Sequence, residues 1–472
     1  MSRAIRADYG QRWLLPPSVE EWVPEDHPAR FVRDFVDALE LAELGFKVPE
    51  CVEGRPAYAA DLLLKVWVYG YYSKIRSSRG LERACYDSMA MVWLTGNHPP
   101  DHNTLWRFWK ANRAALGGVL RQSVRVAVRS EMVSFVLQAV DGTKIAAESS
   151  TAKAWRADVL EKKLKAVDAG IEEILRQTQE NDAVESGSCR LPEGLIDAQA
   201  RREKIAQALG ELRKAERALM HPGEPEAHVV QCGEGKRLGY NAQAVTEQKN
   251  HLVVGAQVTT QANDEEQLNR MIQAAEGNTA CAAAQTLADA GYFTGEQIEQ
   301  AQQCGRDVLV NAPTAYRGDG SRFHRVNFTY DAERDVFICP EGQALPYMRT
   351  ETQLRGKQHS PTRKYRCLSA AQCSCRSECT RQERGRTINK DCFYEAVLRQ
   401  VEKQKEALGR ETLDKRKQIA ELPFARLKHL MGFRRWTVRG LENVRAQWNL
   451  LCATLNLKVM YGHWRKGALK LA

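Results

Sequence analysis

Apolar positions in the first 130 residues recur at helical spacing. Ala60-Asp61-Leu62-Leu63-Leu64-Lys65-Val66-Trp67-Val68-Tyr69 is apolar almost all round, which predicts a buried helix. A second helix is predicted through Leu81, Ala84, Cys85 and Met89. After the breaker Asn97-His98-Pro99-Pro100-Asp101-His102, Asn103 or Thr104 is expected to cap a third, carrying Leu105, Phe108 and Trp109. Residues 133–141 form an apolar run that reads as a strand ending on Asp141. From 152 to 220 the pattern is charged and helical in period, with a break near Glu185-Ser186-Gly187-Ser188, and predicts a helical hairpin. Segments 238–246 and 251–260 predict a β-hairpin. A helix through Leu268, Met271, Ile272 and Ala275 follows, then a short strand Thr286-Leu287-Ala288-Asp289, a helix from about 295 and a strand Val308-Leu309-Val310. This order predicts a mixed α/β sheet with helices packed on it. Residues 315–395 change to short β-like pieces and polar turns, and from 398 the chain is helical and basic.

Length and charge add an organisation. The 472 residues suffice for two to four domains at roughly 100–200 residues each. Lys and Arg number 69 against 59 Asp and Glu, a net +10. Residues 349–472 hold 28 basic and 11 acidic side chains, a net +17, which leaves −7 on the remainder. A basic third on a mildly acidic body suggests a polyanion contact near the C-terminus; a solvated basic surface is the plainer alternative. No apolar stretch approaches the roughly 18 residues of a membrane span, and the first residues lack a signal-peptide core, so a cytoplasmic location is expected. The 13 cysteines, without an export signal, are expected to be reduced thiols. No glycine-rich phosphate loop points to ATP use.

Several side chains are candidates for chemistry. Asp141 and Asp289 each close an apolar strand and are followed by Gly or Ala-Gly. That is where α/β sheets build their sites, although turn capping explains either residue alone. Glu421 stands two residues before Pro423, which is best tolerated in a helix's first turn, so Glu421 is expected near a helix N-terminus with Lys428 on the same face. Asn263-Asp264-Glu265-Glu266 opens a helix and reads as a cap, with metal binding as the alternative. Cys339, Cys367, Cys373, Cys375 and Cys379 crowd into 41 positions. They admit two readings, a structural zinc site through Cys339, Cys373, Cys375 and Cys379, or separate thiols. The adjacent Arg349, Arg355, Lys357, Arg363, Lys364 and Arg366 suit phosphate contacts. In the third helix Arg107, Lys110 and Arg113 interleave with aromatic residues as in a helix-turn-helix DNA reader, a pattern that ordinary helical bundles share.

Taken together, Val140-Asp141-Gly142-Thr143-Lys144, Gly239-Tyr240-Asn241-Ala242-Gln243, Ala288-Asp289-Ala290-Gly291-Tyr292 and Glu421-Leu422-Pro423-Phe424 with Lys428 and Gly432-Phe433-Arg434-Arg435 resemble bacterial insertion-sequence transposases of the DDE class. Tyr69-Gly70-Tyr71, Arg76-Ser77-Ser78-Arg79 and Asp101-His102-Asn103-Thr104-Leu105-Trp106-Arg107-Phe108 resemble the helical domain that precedes the core in one branch. The resemblance implies a ribonuclease-H-like mixed α/β sheet core with an all-α N-terminal domain, a helical hairpin insertion and a small β-rich insertion. The expected divisions are 1–130, 131–314 with the insertion 152–220, 315–395 and 396–472. It implies that Asp141, Asp289 and Glu421 hold two Mg²⁺ ions, with Mn²⁺ as a substitute, for cleavage at insertion-sequence ends and strand transfer into target DNA. Lys428 matches the final Lys of a related motif, whereas Lys417 replaces its Arg and Asp414 its Tyr. Lys428, Lys417, Arg434, Arg435, Arg107 and Lys110 are the expected DNA contacts. The implied partners are double-stranded DNA, as terminal inverted repeats and target, and a second copy of the chain, in the nucleoid and away from membranes. Two rival readings are a DNA-binding protein derived from a transposase without catalysis, and a metal-dependent nuclease of the same fold that cuts without joining.

Overall fold

In the computed structural model, residues 18–47, 56–182, 193–233, 235–318, 320–355 and 358–469 are described. The predicted break near Glu185–Ser188, and Lys357 of the basic set, lie outside them. The chain divides into two compact units, residues 1–130 with 449–472, and residues 131–448.

The first unit is helical. Its elements are α1 (Pro28–Asp37), α2 (Ala60–Tyr72), α3 (Ser78–Asp87), α4 (Met89–Leu94), α5 (His102–Asn112) and α6 (Leu116–Arg129). Leu63, Leu64, Val66, Trp67, Val68 and Tyr71 of α2 are buried, as its nearly continuous apolar surface requires. Trp67 meets Trp109 of α5 at 4.7 Å between ring centroids. The cap of α5 is Asp101, whose carboxylate accepts the N–H groups of Asn103 and Thr104 at 2.8 and 2.9 Å. One carboxylate thus satisfies two orphan amides, which is why the helix starts just before the expected Asn103 or Thr104 cap.

The second unit is built on a six-stranded sheet. Its elements in chain order are β1 (Leu137–Ala146), α7 (Ala157–Asp182), α8 (Glu193–Lys214), β2 (His228–Cys232), β3 (Gly235–Glu247), β4 (Val253–Thr259), α9 (Leu268–Thr279), β5 (Gln285–Ala288), α10 (Gly295–Gln303) and β6 (Val308–Val310). Antiparallel β1 and β3 pair from Gln138 opposite Glu247 to Ala146 opposite Gly239. β1 also pairs in parallel with β5, and β5 with β6. The far edge of β3 is shared, β2 taking its first half and β4 its second. The strand therefore does not end at Asp141. The apolar run stops there, but the ladder with the 13-residue β3 carries β1 five residues further.

The β-rich segment is a separate antiparallel sheet of β7 (Thr329–Asp331), β8 (Val336–Ile338), β9 (Ala344–Arg355), β10 (Gln358–Arg366) and β11 (Thr387–Asp391), in consecutive order. Its core holds Phe328, Phe337, Leu345, Tyr365, Ile388 and Tyr394. The chain then returns to the first sheet through α11 (Tyr394–Lys405) and α12 (Ala407–Ala425). Gln400 and Gln404, one turn apart on α11, bond to the backbone of β6 as another strand would. Their Nε2 groups donate to Val308 and Val310 at 2.7 and 2.6 Å, and their Oε1 atoms accept from Val310 and Ala312 at 3.2 and 2.9 Å. The edge strand is thereby closed to intermolecular pairing.

Ile419 and Ala420 of α12 pack on Leu137, Ala139, Leu287 and Leu309. Contrary to the expectation from Pro423, Glu421 lies near the end of α12 rather than near a start. Proline removes one helix hydrogen bond and leaves the Ile419 carbonyl without its usual donor.

Candidate active site

The parallel register brings Asp141 and Asp289 together. Leu137 pairs with Gln285 and Ala139 with Leu287. Two residues further, just past the end of this ladder, stand Asp141 and Asp289, near enough for the charge of Asp289 to act on Asp141. Both face the side that α12 covers, because side chains two apart share a face. Asp289 also caps the turn after β5, accepting from the Gly291 N–H at 2.8 Å. Arg416 of α12 stands 3.8 Å from Asp141 Oδ2. Burial pushes the Asp141 carboxyl up to about 6; the Gly142 N–H holds it back, Asp289 raises it further, Arg416 opposes and Asp264 adds its own repulsion.

Gly142 and Lys144 alternate to the other face of β1. There Lys144 Nζ lies 2.6 Å from Asp264 Oδ2 in a largely buried ion pair, 22% and 14% exposed. Asp264 Oδ1 accepts from Asn241 Nδ2 at 2.7 Å and Gln243 Nε2 at 2.6 Å, and the buried Tyr292 hydroxyl donates to Gln243 Oε1. Asp264 is thus no helix cap: α9 starts at Leu268 with Gln267 before it and no capping side chain. It backs the two aspartates from behind the sheet.

Gly142 leaves room for this network, since a Cβ there would run into Gln243 Nε2 and lie 3.1 Å from Asn241 Oδ1. Gly142→Ala is expected to destabilise the fold by roughly 1–3 kcal/mol through overpacking. A lowered urea midpoint would register it, and an unchanged midpoint would show that the network yields.

Glu421 is exposed, five residues beyond Arg416. That separation is ~7.5 Å along a helix and about 140° around it. Among the described residues it makes no hydrogen bond or ion pair, so the structure joins Asp141 to Asp289 and presents Arg416 to them. Lys417 is exposed and lines a cleft of about 490 Å³ with Arg317, Arg410, Arg416, Asn311 and Asp414. Lys428 is half-buried in the turn after α12, and Arg434 is exposed. Arg435 instead fastens the end of β1, its guanidinium donating to the Ala147 and Glu148 carbonyls at 2.8 and 2.7 Å. In the first unit Arg107 and Lys110 are exposed on α5, with Lys110 over the Trp106 ring at 5.6 Å. Sequence reasoning missed Arg317, Arg410 and Arg416, and it quoted Lys144 without a role. Among the described residues no three His, Cys, Asp or Glu side chains are close enough to hold an ion as they stand. None of the described helices is long and apolar enough to cross a membrane.

Residues 338–461 match the family model described as a transposase DDE domain. Residues 17–111 match that of a transposase domain (DUF772). Both models describe transposase domains, and their matches support an insertion-sequence transposase of the DDE class. The DDE match covers the thiols, α11, α12 and Glu421, while the other transposase match takes in Arg107 and Lys110 of α5. No curated protein and no solved structure matches the chain.

Proposed function

We propose that this transposase cleaves DNA at insertion-sequence ends and joins them to target DNA on a ribonuclease-H-like sheet. The observation that carries the reading is that Asp141 and Asp289 each stand two residues beyond the last pair of the parallel β1–β5 ladder, with the charge of one acting on the other. The strand order, an antiparallel β4–β3–β1 set extended by parallel β5 and β6, supports that fold. The donors fit a divalent cation. They are hard carboxylate oxygens, and the burial and like charge that raise Asp141 are what a cation would relieve. Asp141 and Asp289 would hold it, with Glu421 as the third carboxylate that the resemblance implies. Once bound, the metal supplies a Lewis acid for phosphodiester attack and for the leaving oxygen.

The chain's own cations do the positioning. Arg416 offsets part of the charge on Asp141, and Arg317, Arg410 and Lys417 in the adjoining cleft hold phosphates. Each such contact adds salt-dependent affinity, so Arg410→Ala with Lys417→Ala is expected to flatten the salt dependence of DNA binding by about two phosphate contacts. A salt slope equal to that of the wild type would remove the cleft from the DNA path.

The decisive assay incubates the protein with Mg²⁺ and DNA carrying the inverted repeats that flank its gene. End cleavage with joining, lost in Asp289→Asn and Glu421→Gln, supports the proposal. Cleavage without joining points to a nuclease, and binding without cleavage to a DNA-binding protein. Full activity of Glu421→Gln would take the glutamate out of the set.

A further inference from the structure

The cysteines between 339 and 379 take no part in that reaction, yet the fold gathers them. Cys339 follows β8, Cys367 follows β10 and Cys379 ends the helical turn Arg376–Cys379. Cys367 belongs to the core of the second sheet, and Cys339 and Cys379 pack against the same core. Cys373 opens the approach to the turn, its carbonyl accepting the Arg376 N–H at 3.2 Å. Three cysteines from three segments thus meet at one core, and Cys373 stands six residues before Cys379 on the same loop. None of the described cysteines is in a disulfide.

Two features would suit sulfurs that carry negative charge on a metal. Cys339-Pro340-Glu341-Gly342-Gln343 folds into a tight turn, with Gly342 in the left-handed region at φ +77° and its N–H on the Cys339 carbonyl at 2.8 Å. This turn aims the Gln343 N–H at Cys339 Sγ, 3.3 Å away. A neutral thiol is a weak acceptor, whereas an ionised sulfur rewards such a donor. Arg386, which donates to the Cys379 carbonyl at 3.3 Å, has a buried Nε with no acceptor. A cation with an unspent donor beside grouped sulfurs suits a cluster that carries negative charge.

We infer that Cys339, Cys367, Cys373 and Cys379 bind a structural zinc ion that staples the β-rich unit. Four sulfur donors are the ligand set of tetrahedral zinc. The ion ties the ends of β8 and β10 to the 367–386 loop, around a sheet whose own core is small, as stapled small folds require. Cys367 takes the place that local spacing gave to Cys375. The Cys375 backbone carbonyl holds the Cys379 N–H at 3.0 Å, and its sulfur lies by the Ser374 hydroxyl at 3.8 Å. The sulfurs do not yet converge on one point, so metal binding orders the loop as well as pinning it.

The test uses the full chain purified under reducing conditions. Elemental analysis is expected to give stoichiometric zinc, and organomercurial titration to release it as the thiols are capped. Cys339→Ser and Cys367→Ser lose the zinc, while Cys375→Ser and Cys392→Ser keep it. Cobalt(II) exchanged into the wild type gives the intense thiolate-to-metal band of a tetrahedral sulfur site, a readout that does not depend on a variant folding. Wild-type protein that holds no zinc and takes up no cobalt overturns the inference. So does zinc kept by Cys367→Ser and lost by Cys375→Ser. Neither result touches the proposal for Asp141 and Asp289.

Discussion

Asp141→Asn is expected to abolish DNA end cleavage and strand transfer while making the protein more stable. The two effects share a cause. Asp141 is 19% exposed, lies beside Asp289 and has Asp264 behind the sheet, so its carboxyl is pushed up to about 6. A free aspartate titrates near 4, so ionising Asp141 in the folded chain costs on the order of 3 kcal/mol at neutral pH. The sign follows directly. A carboxyl whose folded pKa is raised contributes stability that is complete below the unfolded pKa and is lost as pH rises through about 6. Asparagine keeps an oxygen for the Gly142 N–H, which Asp141 Oδ1 accepts at 2.8 Å, and removes the charge. Its thermal midpoint should exceed the wild type by roughly 6–12 °C near neutral pH, at about 2–4 °C per kcal/mol for a unit of this size. The advantage should vanish below about pH 4. An inactive variant that is also less stable would mark Asp141 as a structural residue.

That charge conflict was half legible in the sequence. Asp141 and Asp289 were each visible where an apolar run stops, but their pairing depends on a parallel register between strands about 150 residues apart, which no local pattern carries. β1 overran its apolar segment because Gly142, Thr143 and Lys144 are held by polar partners on β3, Asn241 and Gln243 among them. Asp264 read as a cap because acids before a helix usually are; Lys144, 120 positions away, decides otherwise. Arg416 could have been found. It lies three residues after Leu413 and four before Ala420, in phase with the residues that pack on the sheet, and Glu421 is out of that phase. The pull of Pro423 toward a helix start hid this.

Replacing Glu247 by alanine is expected to be the most destabilising single change in the second unit, costing on the order of 3–5 kcal/mol. The side chain is 1% exposed. Its Oε1 accepts the N–H groups of Asn250 and Leu252 at 2.8 and 3.0 Å, and its Oε2 those of Lys249 and Ser134 at 2.7 and 3.1 Å. A single carboxylate therefore satisfies the β3–β4 turn and the segment entering β1, and it stands opposite Gln138 in the ladder between them. Alanine strands four donors, the Leu252 N–H fully buried and the other three partly so, and the register that sets Asn241 and Gln243 around Asp264 loses its anchor. Glutamine offers one acceptor oxygen and sets an amide N–H against the other two donors, so it should fall between alanine and the wild type. Urea unfolding followed by tryptophan fluorescence measures the order, and an alanine variant within about 1 kcal/mol of the wild type would sink the argument. The chemistry should survive where the fold does. In the cold, the folded fraction of Glu247→Gln should cleave DNA at the wild-type rate per folded molecule, unlike Asp141→Asn, which stays folded and does not cut.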